Sequence, residues 1–144
     1  MTHSDMRLSP EVKAALAQGY IWNPPQPVPY RPIYLRPAGE TKSSPNEMAR
    51  CVRMMLHRGE LDGVRIVSAD DIARMETPRT GFVARYGLQN GYALGNYADL
   101  GHQFIAHGHN GGLDGFLSVY VYMVDPGLGY FFSVNSSSSG EAIE

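Results

Sequence analysis

The chain has 144 residues, of which 43% are hydrophobic and 18% are charged, and its formal net charge is −2 at pH 7. This length and composition are typical of a single folded domain with its own core, and they exclude a disordered chain. The near-neutral charge gives no electrostatic basis for binding nucleic acid, and the longest apolar runs, 116–124 and 130–134, are too short to cross a bilayer. No basic start followed by an apolar stretch is present, so no signal peptide is predicted within this chain.

Three helices are predicted before residue 80. Serine is a favoured N-cap and proline is tolerated at the first helical position, and this pair occurs at Ser9-Pro10 and at Ser44-Pro45. The first helix is predicted to run to Gln18. Ser68 begins the third helix, which is expected to end before Pro78.

The second helix has the clearest apolar pattern. Glu47 stands three residues after Ser44, as in a capping box, and Gly59 is expected to end the helix. Asp62-Gly63 then predicts a tight hairpin turn. The apolar stripe expected to face the core consists of Met48, Cys51, Val52, Met55 and Leu56.

A proline-rich passage separates the first two helices. Residues 24–37 contain six prolines, so the passage is predicted to be extended and free of regular ladders. It could be a linker between domains. We favour a loop wrapped over the fold, because the passage and its flanks carry apolar residues able to bury surface: Trp22, Tyr30, Ile33, Tyr34 and Leu35.

The pattern changes to strands after residue 85. Segments 86–95, 103–109, 116–124 and 129–135 are separated by glycine-rich turns. The segment 116–123 is apolar on both alternations, which indicates a strand covered on both faces. Residues 136–139 are predicted to be a polar loop and 140–144 the start of a helix. The fold class predicted is α+β, with an antiparallel sheet of three or four strands and helices packed against it.

Residues 108–116, Gly-His-Asn-Gly-Gly-Leu-Asp-Gly-Phe, form the most informative stretch for function. Two adjacent glycines remove side chains where another group must approach the backbone closely, which suits the wall of a binding groove. Five other stretches precede it along the chain. In sequence order they are 36–39 (RPAG), 43–50 (SSPNEMAR), 59–63 (GELDG), 75–78 (METP) and 86–88 (YGL).

This ordered set, over roughly residues 10 to 142, resembles the C-terminal portion of the serine β-lactamase-like family. That family includes class C β-lactamases, D-alanyl-D-alanine carboxypeptidases and esterases, and its members are often exported. The resemblance implies a partial β-lactamase/transpeptidase-like fold in one domain, 1–144. Its parts would be a helix and proline-rich loop (1–43), a helical region (44–78) and antiparallel strands (86–135).

The resemblance also assigns candidate site residues. His109 matches the Lys or His of the family's third motif, Asn110 its hydroxyl residue and Gly111 its glycine, so Asn110 and Gly111 would bind substrate. The backbone N–H of Gly112 matches the second donor of the oxyanion hole, which stabilises a tetrahedral intermediate. Asn110 departs from the usual Thr or Ser. A strand-end histidine bonded to a neighbouring backbone is the alternative interpretation of His109.

The family's nucleophile is absent from these 144 residues, since no Ser-x-x-Lys occurs in them. Ser9 and Lys13 are one residue too far apart, which turns the lysine about 100° further round a helix. Ser133-Val134-Asn135 matches Ser-x-Asn only as a string. The chain is therefore expected to be a C-terminal segment of a serine hydrolase, inactive alone. The alternative is a non-catalytic binding or assembly module derived from that fold.

No metal or cofactor is predicted. His102, His107, His109 and Asp114 form only a weak zinc pattern, and Cys51 is interpreted as a buried structural thiol. The resemblance implies that a sheet cut from its N-terminal strands has an unpaired edge. The expected partners are therefore a second copy of the chain or a missing N-terminal half, besides a small acyl substrate.

Overall fold

The structure is a computed structural model, and it describes residues 1–22, 24–100 and 103–138. Within that part of the chain, helices and antiparallel strands occur together, which confirms the α+β class. The helices are α1 (Pro10–Ala15), α2 (Arg36–Gly39), α3 (Pro45–Leu56) and α4 (Ala69–Glu76), and a 3-10 turn spans Val83–Tyr86.

The strands form three sheets. They are β1 (Gly19–Trp22), β2 (Gln26–Val28), β3 (Glu60–Leu61), β4 (Val64–Arg65), β5 (Gly91–Tyr92), β6 (Tyr97–Asp99), β7 (Ala106–Leu113), β8 (Phe116–Met123), β9 (Leu128–Val134) and β10 (Ser136–Ser138). The sheet orders are β10-β1-β2, β3-β4 and β5-β6-β7-β8-β9. Among the described residues the main sheet has five strands rather than three or four. β5 is the part of the predicted segment 86–95 that forms a strand, and β6, which was not predicted, pairs with it.

The chain divides into two compact units. The first unit comprises Met1–Met48, Asn110–Val119 and the described residues from Phe132 onward. The second unit comprises the described residues of Ala49–His109 together with Tyr120–Phe131. The organisation into 1–43, 44–78 and 86–135 remains a prediction.

Two of the predicted helix starts are made by serine caps. The Ser9 hydroxyl accepts a hydrogen bond from the Val12 N–H at 3.2 Å, and the Ser68 hydroxyl accepts one from the Asp71 N–H at 3.0 Å. Each cap satisfies a donor that has no partner within its helix. α1 ends at Ala15 rather than at Gln18, because Leu16 is already extended, with a ψ of 128°.

The proline-rich passage contains regular structure, so the prediction of a loop without ladders is wrong. Pro27 lies in β2, which pairs antiparallel with β1 and is an outer strand of its sheet. An outer strand tolerates proline because one side of it needs no ladder donor. The apolar residues expected to bury surface are also exposed in part: Trp22 is 63% exposed and Leu35 is 65% exposed.

Ser136–Ser138 form a strand, not the polar loop predicted for 136–139, of which Ser139 lies outside the described residues. β10 pairs in parallel with β1, with Tyr20 opposite Ser136 and Trp22 opposite Ser138. The Tyr20 N–H also donates to the Asn135 carbonyl at 3.0 Å. The helix start predicted for 140–144 lies outside the described residues.

Glu47 takes part in the capping box of α3 and also binds the N-terminal segment. Its backbone N–H donates to the Ser44 hydroxyl at 3.4 Å, as a capping box requires. Its carboxylate, however, is buried and accepts hydrogen bonds from the His3 N–H, at 2.8 Å, and from the Ser4 hydroxyl. Residues far apart in the sequence thereby hold the N-terminal segment in the first unit.

The core of the second unit follows the apolar stripe of α3. Val52 and Met55 are buried together with Ile72 of α4 and Tyr122 of β8. The turn after α3 is also as predicted. Asp62 and Gly63 both have positive φ, 52° and 80°, as a two-residue hairpin turn between β3 and β4 requires.

Gly59 and Gly63 provide a matched test of this region. Both have positive φ, but a Cβ at Gly59 would lie 2.1 Å from the Val67 carbonyl oxygen, whereas a Cβ at Gly63 meets nothing within 4 Å. Gly63→Ala is expected to lower the free energy of unfolding by about 1–2 kcal/mol. Gly59→Ala adds a backbone clash and is expected to cost about 2–4 kcal/mol. Urea denaturation of both variants measures the difference, and equal losses would contradict this role of Gly59.

Candidate functional site

β7 carries all four residues to which the resemblance assigns a role. His109 lies in the second unit, and Asn110, Gly111 and Gly112 lie in the first. The ladder between β6 and β7 pairs Asp99 with Ala106 and ends at Tyr97 opposite Gly108. β7 itself continues to Leu113, so the candidate residues follow directly after the positions that β6 pairs. The glycines are thus inside a strand, not after its end as the sequence suggested.

The imidazole of His109 meets a tyrosine that the sequence analysis did not single out. The Tyr92 hydroxyl lies 2.7 Å from His109 Nε2, within hydrogen-bond distance. The two rings contact edge to face, with centroids 5.5 Å apart and planes at 78°. His109 is half-buried and Tyr92 is 42% exposed. The histidine is therefore held by a side chain as well as by its own strand.

Tyr92 is fixed through its backbone. Its carbonyl oxygen accepts hydrogen bonds from the Arg79 N–H at 3.0 Å, the Thr80 N–H at 3.2 Å and the Thr80 hydroxyl at 3.0 Å. The close approach of this segment depends on Gly91, where a Cβ would lie 2.3 Å from the Thr80 carbonyl oxygen. Tyr92 also pairs with Tyr97 across the hairpin of β5 and β6.

Gly111 and Gly112 expose the backbone of β7. Both are exposed, and a Cβ at Gly111 would lie 3.0 Å from Ser118 Oγ. A Cβ at Gly112 would lie 3.3 Å from a methyl carbon of Leu117. A larger residue at either position would crowd these neighbours and cover backbone that the glycines leave accessible.

His107 is buried, unlike His109. It is 7% exposed, and its ring stacks on Tyr122 with centroids 5.4 Å apart. Burial of the ring lowers the pKa of His107, the Glu76 carboxylate acts in the opposite direction, and Arg58 adds to the lowering. Among the residues that the structure describes, His107 Nδ1 has no hydrogen-bond partner.

A buried chain of polar groups lies beside that stack. Arg58 donates two hydrogen bonds to the Glu76 carboxylate, at 2.5 and 2.6 Å. The Tyr122 hydroxyl donates to the same carboxylate at 3.1 Å and accepts from the Asn96 amide at 2.9 Å. Burial raises the pKa of Tyr122, so its hydroxyl keeps the proton that it donates. A depression of about 210 Å³ is lined by Arg58, Glu76, Ile105, His107, Val124 and Asp125.

In the described ranges, which omit His102, no group of three or more His, Cys, Asp or Glu side chains is arranged to hold an ion. Burial raises the pKa of the half-buried Cys51 thiol, which disfavours the thiolate that a nucleophile requires.

The serines considered from the sequence have structural positions of their own. Ser9 caps α1, as described above, and Ser133 is an exposed residue of β9. The Asn135 amide donates to the Gln18 carbonyl at 2.8 Å. The asparagine of the Ser-x-Asn string therefore joins β9 to the segment before β1.

One solved structure is similar to this chain over nearly its whole length. It is the octameric penicillin-binding protein homologue from Pyrococcus abyssi, with a TM-score of 0.77 and 26% sequence identity. The match covers 95% of this chain but only 31% of that protein, so the chain spans about a third of its neighbour's length. No protein-family model matches the chain, and no curated protein matches it.

The chain has a penicillin-binding-protein-like fold. The likeness supports the β-lactamase-like relationship inferred from the ordered stretches, at the level of the fold and not of a particular class. It does not test the roles of His109, Asn110, Gly111 and Gly112, which remain predictions. No helix in the part of the chain that the structure describes is long and apolar enough to span a membrane.

The buried imidazole predicts a pH dependence of stability. Because burial disfavours the protonated ring, the unfolded chain binds this proton at a higher pH than the folded chain does. The free energy of unfolding is expected to fall as the pH drops below about 6.5, and to keep falling until the lowered pKa is passed. His107→Gln should flatten this dependence, whereas His57→Gln, at an exposed position, should retain it. Denaturation midpoints at several pH values measure both, and a slope unchanged in His107→Gln would argue against this assignment.

Proposed function

We propose that this chain provides the substrate-binding strand of a β-lactamase-like serine hydrolase. The observation that carries the proposal is the position of His109. By the resemblance it matches the first place of the third motif, its imidazole lies within hydrogen-bond distance of the Tyr92 hydroxyl, and the strand that carries it continues into exposed glycines. The penicillin-binding-protein-like fold supports the assignment of that motif.

The chemistry divides between this strand and a nucleophile. An acyl-transfer site needs an attacking group and donors aimed at the oxygen that becomes negative. In this proposal Asn110 and Gly111 bind the acyl substrate, and the Gly112 N–H is one donor of the oxyanion hole. A donor of this kind contributes about 10²–10³-fold to kcat in well-studied hydrolases.

The nucleophile comes from outside these 144 residues in this proposal. The sequence contains no Ser-x-x-Lys, and the Cys51 thiol is disfavoured as an attacking group by its burial. An oxyanion donor without an attacking group stabilises no intermediate. The chain alone therefore binds an acyl ligand without reacting with it.

A second candidate is a non-catalytic binding or assembly module on the same fold. The observation that favours it is again the lack of a Ser-x-x-Lys in the sequence. The two candidates differ in what β7 does, because only the hydrolase strand has to recognise an acyl substrate.

A titration with benzylpenicillin separates the two candidates. We expect the backbone amide resonances of Asn110, Gly111 and Gly112 and the ring resonances of His109 to shift in ¹H–¹⁵N NMR spectra, with no covalent adduct in the mass spectrum. Asn110→Ala should weaken the shifts, and the matched control Ser133→Ala, at an exposed position on β9, should leave them unchanged.

The outcomes of that titration are distinct. Absence of shifts at these positions would favour the assembly module over the hydrolase strand. A covalent penicilloyl adduct on a serine of this chain would contradict the proposal that the nucleophile lies elsewhere.

Self-association is the partner interaction that we propose. In the main sheet, among the residues described, β9 has β8 as a neighbour on one side and no strand on the other. Leu128, Tyr130 and Phe132 alternate along β9 and are 59%, 53% and 56% exposed. An outer strand with exposed apolar side chains favours pairing with another strand. The similar solved protein is an octamer, which supports association between copies.

Sedimentation velocity tests this association. The chain is expected to sediment as a dimer or larger species at micromolar concentration, and Tyr130→Lys should shift it towards the monomer because a charge on the outer strand opposes pairing. Tyr34→Lys is the matched control, since Tyr34 is fully exposed and lies away from β9 in the sequence. A wild-type chain that remains monomeric throughout would count against the proposal.

A further inference from the structure

Tyr92 differs from the other exposed tyrosines because both its backbone and its side chain are held. Three donors from Arg79 and Thr80 bind its carbonyl oxygen, as described above. Tyr86, in contrast, is 73% exposed on the 3-10 turn, where its ring contacts that of Phe82 at a tilt of 58°, with centroids 5.2 Å apart. A hydroxyl on so firmly anchored a residue has a fixed position from which to bind another group.

The group that the Tyr92 hydroxyl meets is the ring nitrogen of His109. At 2.7 Å, one of the two atoms donates a proton to the other. A neutral imidazole carries its proton on one nitrogen, and the hydrogen bond at Nε2 biases which one. A phenol is a stronger hydrogen-bond donor than acceptor, and an unprotonated imidazole nitrogen is a good acceptor, so the Tyr92 hydroxyl serves as the donor to Nε2. In that arrangement the imidazole proton is on Nδ1.

The edge-to-face contact adds an orientation to this hydrogen bond. The ring planes of Tyr92 and His109 are at 78°, so rotation of the imidazole about its χ2 would break both the ring contact and the hydrogen bond.

We propose that Tyr92 is the positioning residue of His109: its hydroxyl donates to Nε2 and holds the ring in the Nδ1–H tautomer and in one orientation. The importance of this inference for substrate binding rests on the proposed function. Its test does not, because the tautomer is measured without substrate. In a neutral imidazole with a fixed tautomer each ring nitrogen is either a donor or an acceptor. In a mixture of tautomers each nitrogen is a donor in some molecules and an acceptor in others.

The tautomer of His109 is measured directly by ¹⁵N NMR of the imidazole nitrogens in the full 144-residue chain without ligand. The wild-type chain is expected to show predominantly the Nδ1–H form. In Tyr92→Phe, which keeps the ring and removes only the hydroxyl, the ratio of Nδ1–H to Nε2–H should fall by about fivefold, the effect of one ordinary hydrogen bond. Tyr86→Phe makes the same chemical change on the 3-10 turn and should leave the ratio unchanged.

Each outcome decides the inference. A wild-type chain with His109 in the Nε2–H form overturns it, and this measurement needs no variant to fold. An unchanged ratio in Tyr92→Phe, or an equal change in Tyr86→Phe, also overturns it. Because no ligand is present, these results are independent of the benzylpenicillin titration: the tautomer can follow Tyr92 even if no substrate binds, and shifts on titration can occur even if Tyr92 does not set the tautomer.

Discussion

The buried carboxylate of Glu76 is the constraint on which the second unit depends. A carboxylate taken out of water must be fully hydrogen-bonded, and Arg58 and the Tyr122 hydroxyl meet that need from two other elements. Tyr122 in turn accepts from Asn96, in the turn between β5 and β6. The end of α3, the end of α4, β8 and the short hairpin are thus tied to one charged group.

This arrangement explains how a hairpin as short as that of β5 and β6 can hold the Tyr92 side chain in place. Two-stranded hairpins are marginally stable by themselves. Here Asn96 anchors the turn, and Arg79 and Thr80 bind the carbonyl oxygen of Tyr92. The hairpin that carries Tyr92 is therefore held at its turn by Asn96 and along β5 by Arg79 and Thr80. These contacts fix the backbone from which the Tyr92 side chain reaches His109.

Features that depend on neighbouring residues were predictable from the sequence. The caps at Ser9 and Ser68, the apolar stripe of α3 and the hairpin at Asp62-Gly63 all follow from local chemistry, and the structure has them. The α+β class follows from the change of period after residue 85. The candidate residues from His109 to Gly112 lie within β7, which extends through them instead of ending before them, and their roles stay predictions.

Features that depend on distant partners were not predictable. Pro27 is acceptable in β2 only because β2 is an outer strand, and the serines of β10 form a strand only because β1 is available to pair with them. The carboxylate of Glu47 turns to His3 and Ser4, which the capping-box pattern does not indicate. The contact of Tyr92 in β5 with His109 in β7 passes over the strand between them, β6, so no spacing rule identifies it.

The parallel pairing of β1 with β10 has a consequence for the order in which the first unit is completed. During translation, β1 and β2 emerge one after the other and can form their hairpin at once, whereas β10 lies more than a hundred residues further along the chain and emerges later. Until then the second edge of β1 lacks its native neighbour. Contacts between residues far apart in the sequence form slowly, and an open edge is where another nascent strand is captured. A chain in which β10 has not yet been made therefore has an edge of β1 that can capture a strand from a neighbouring chain.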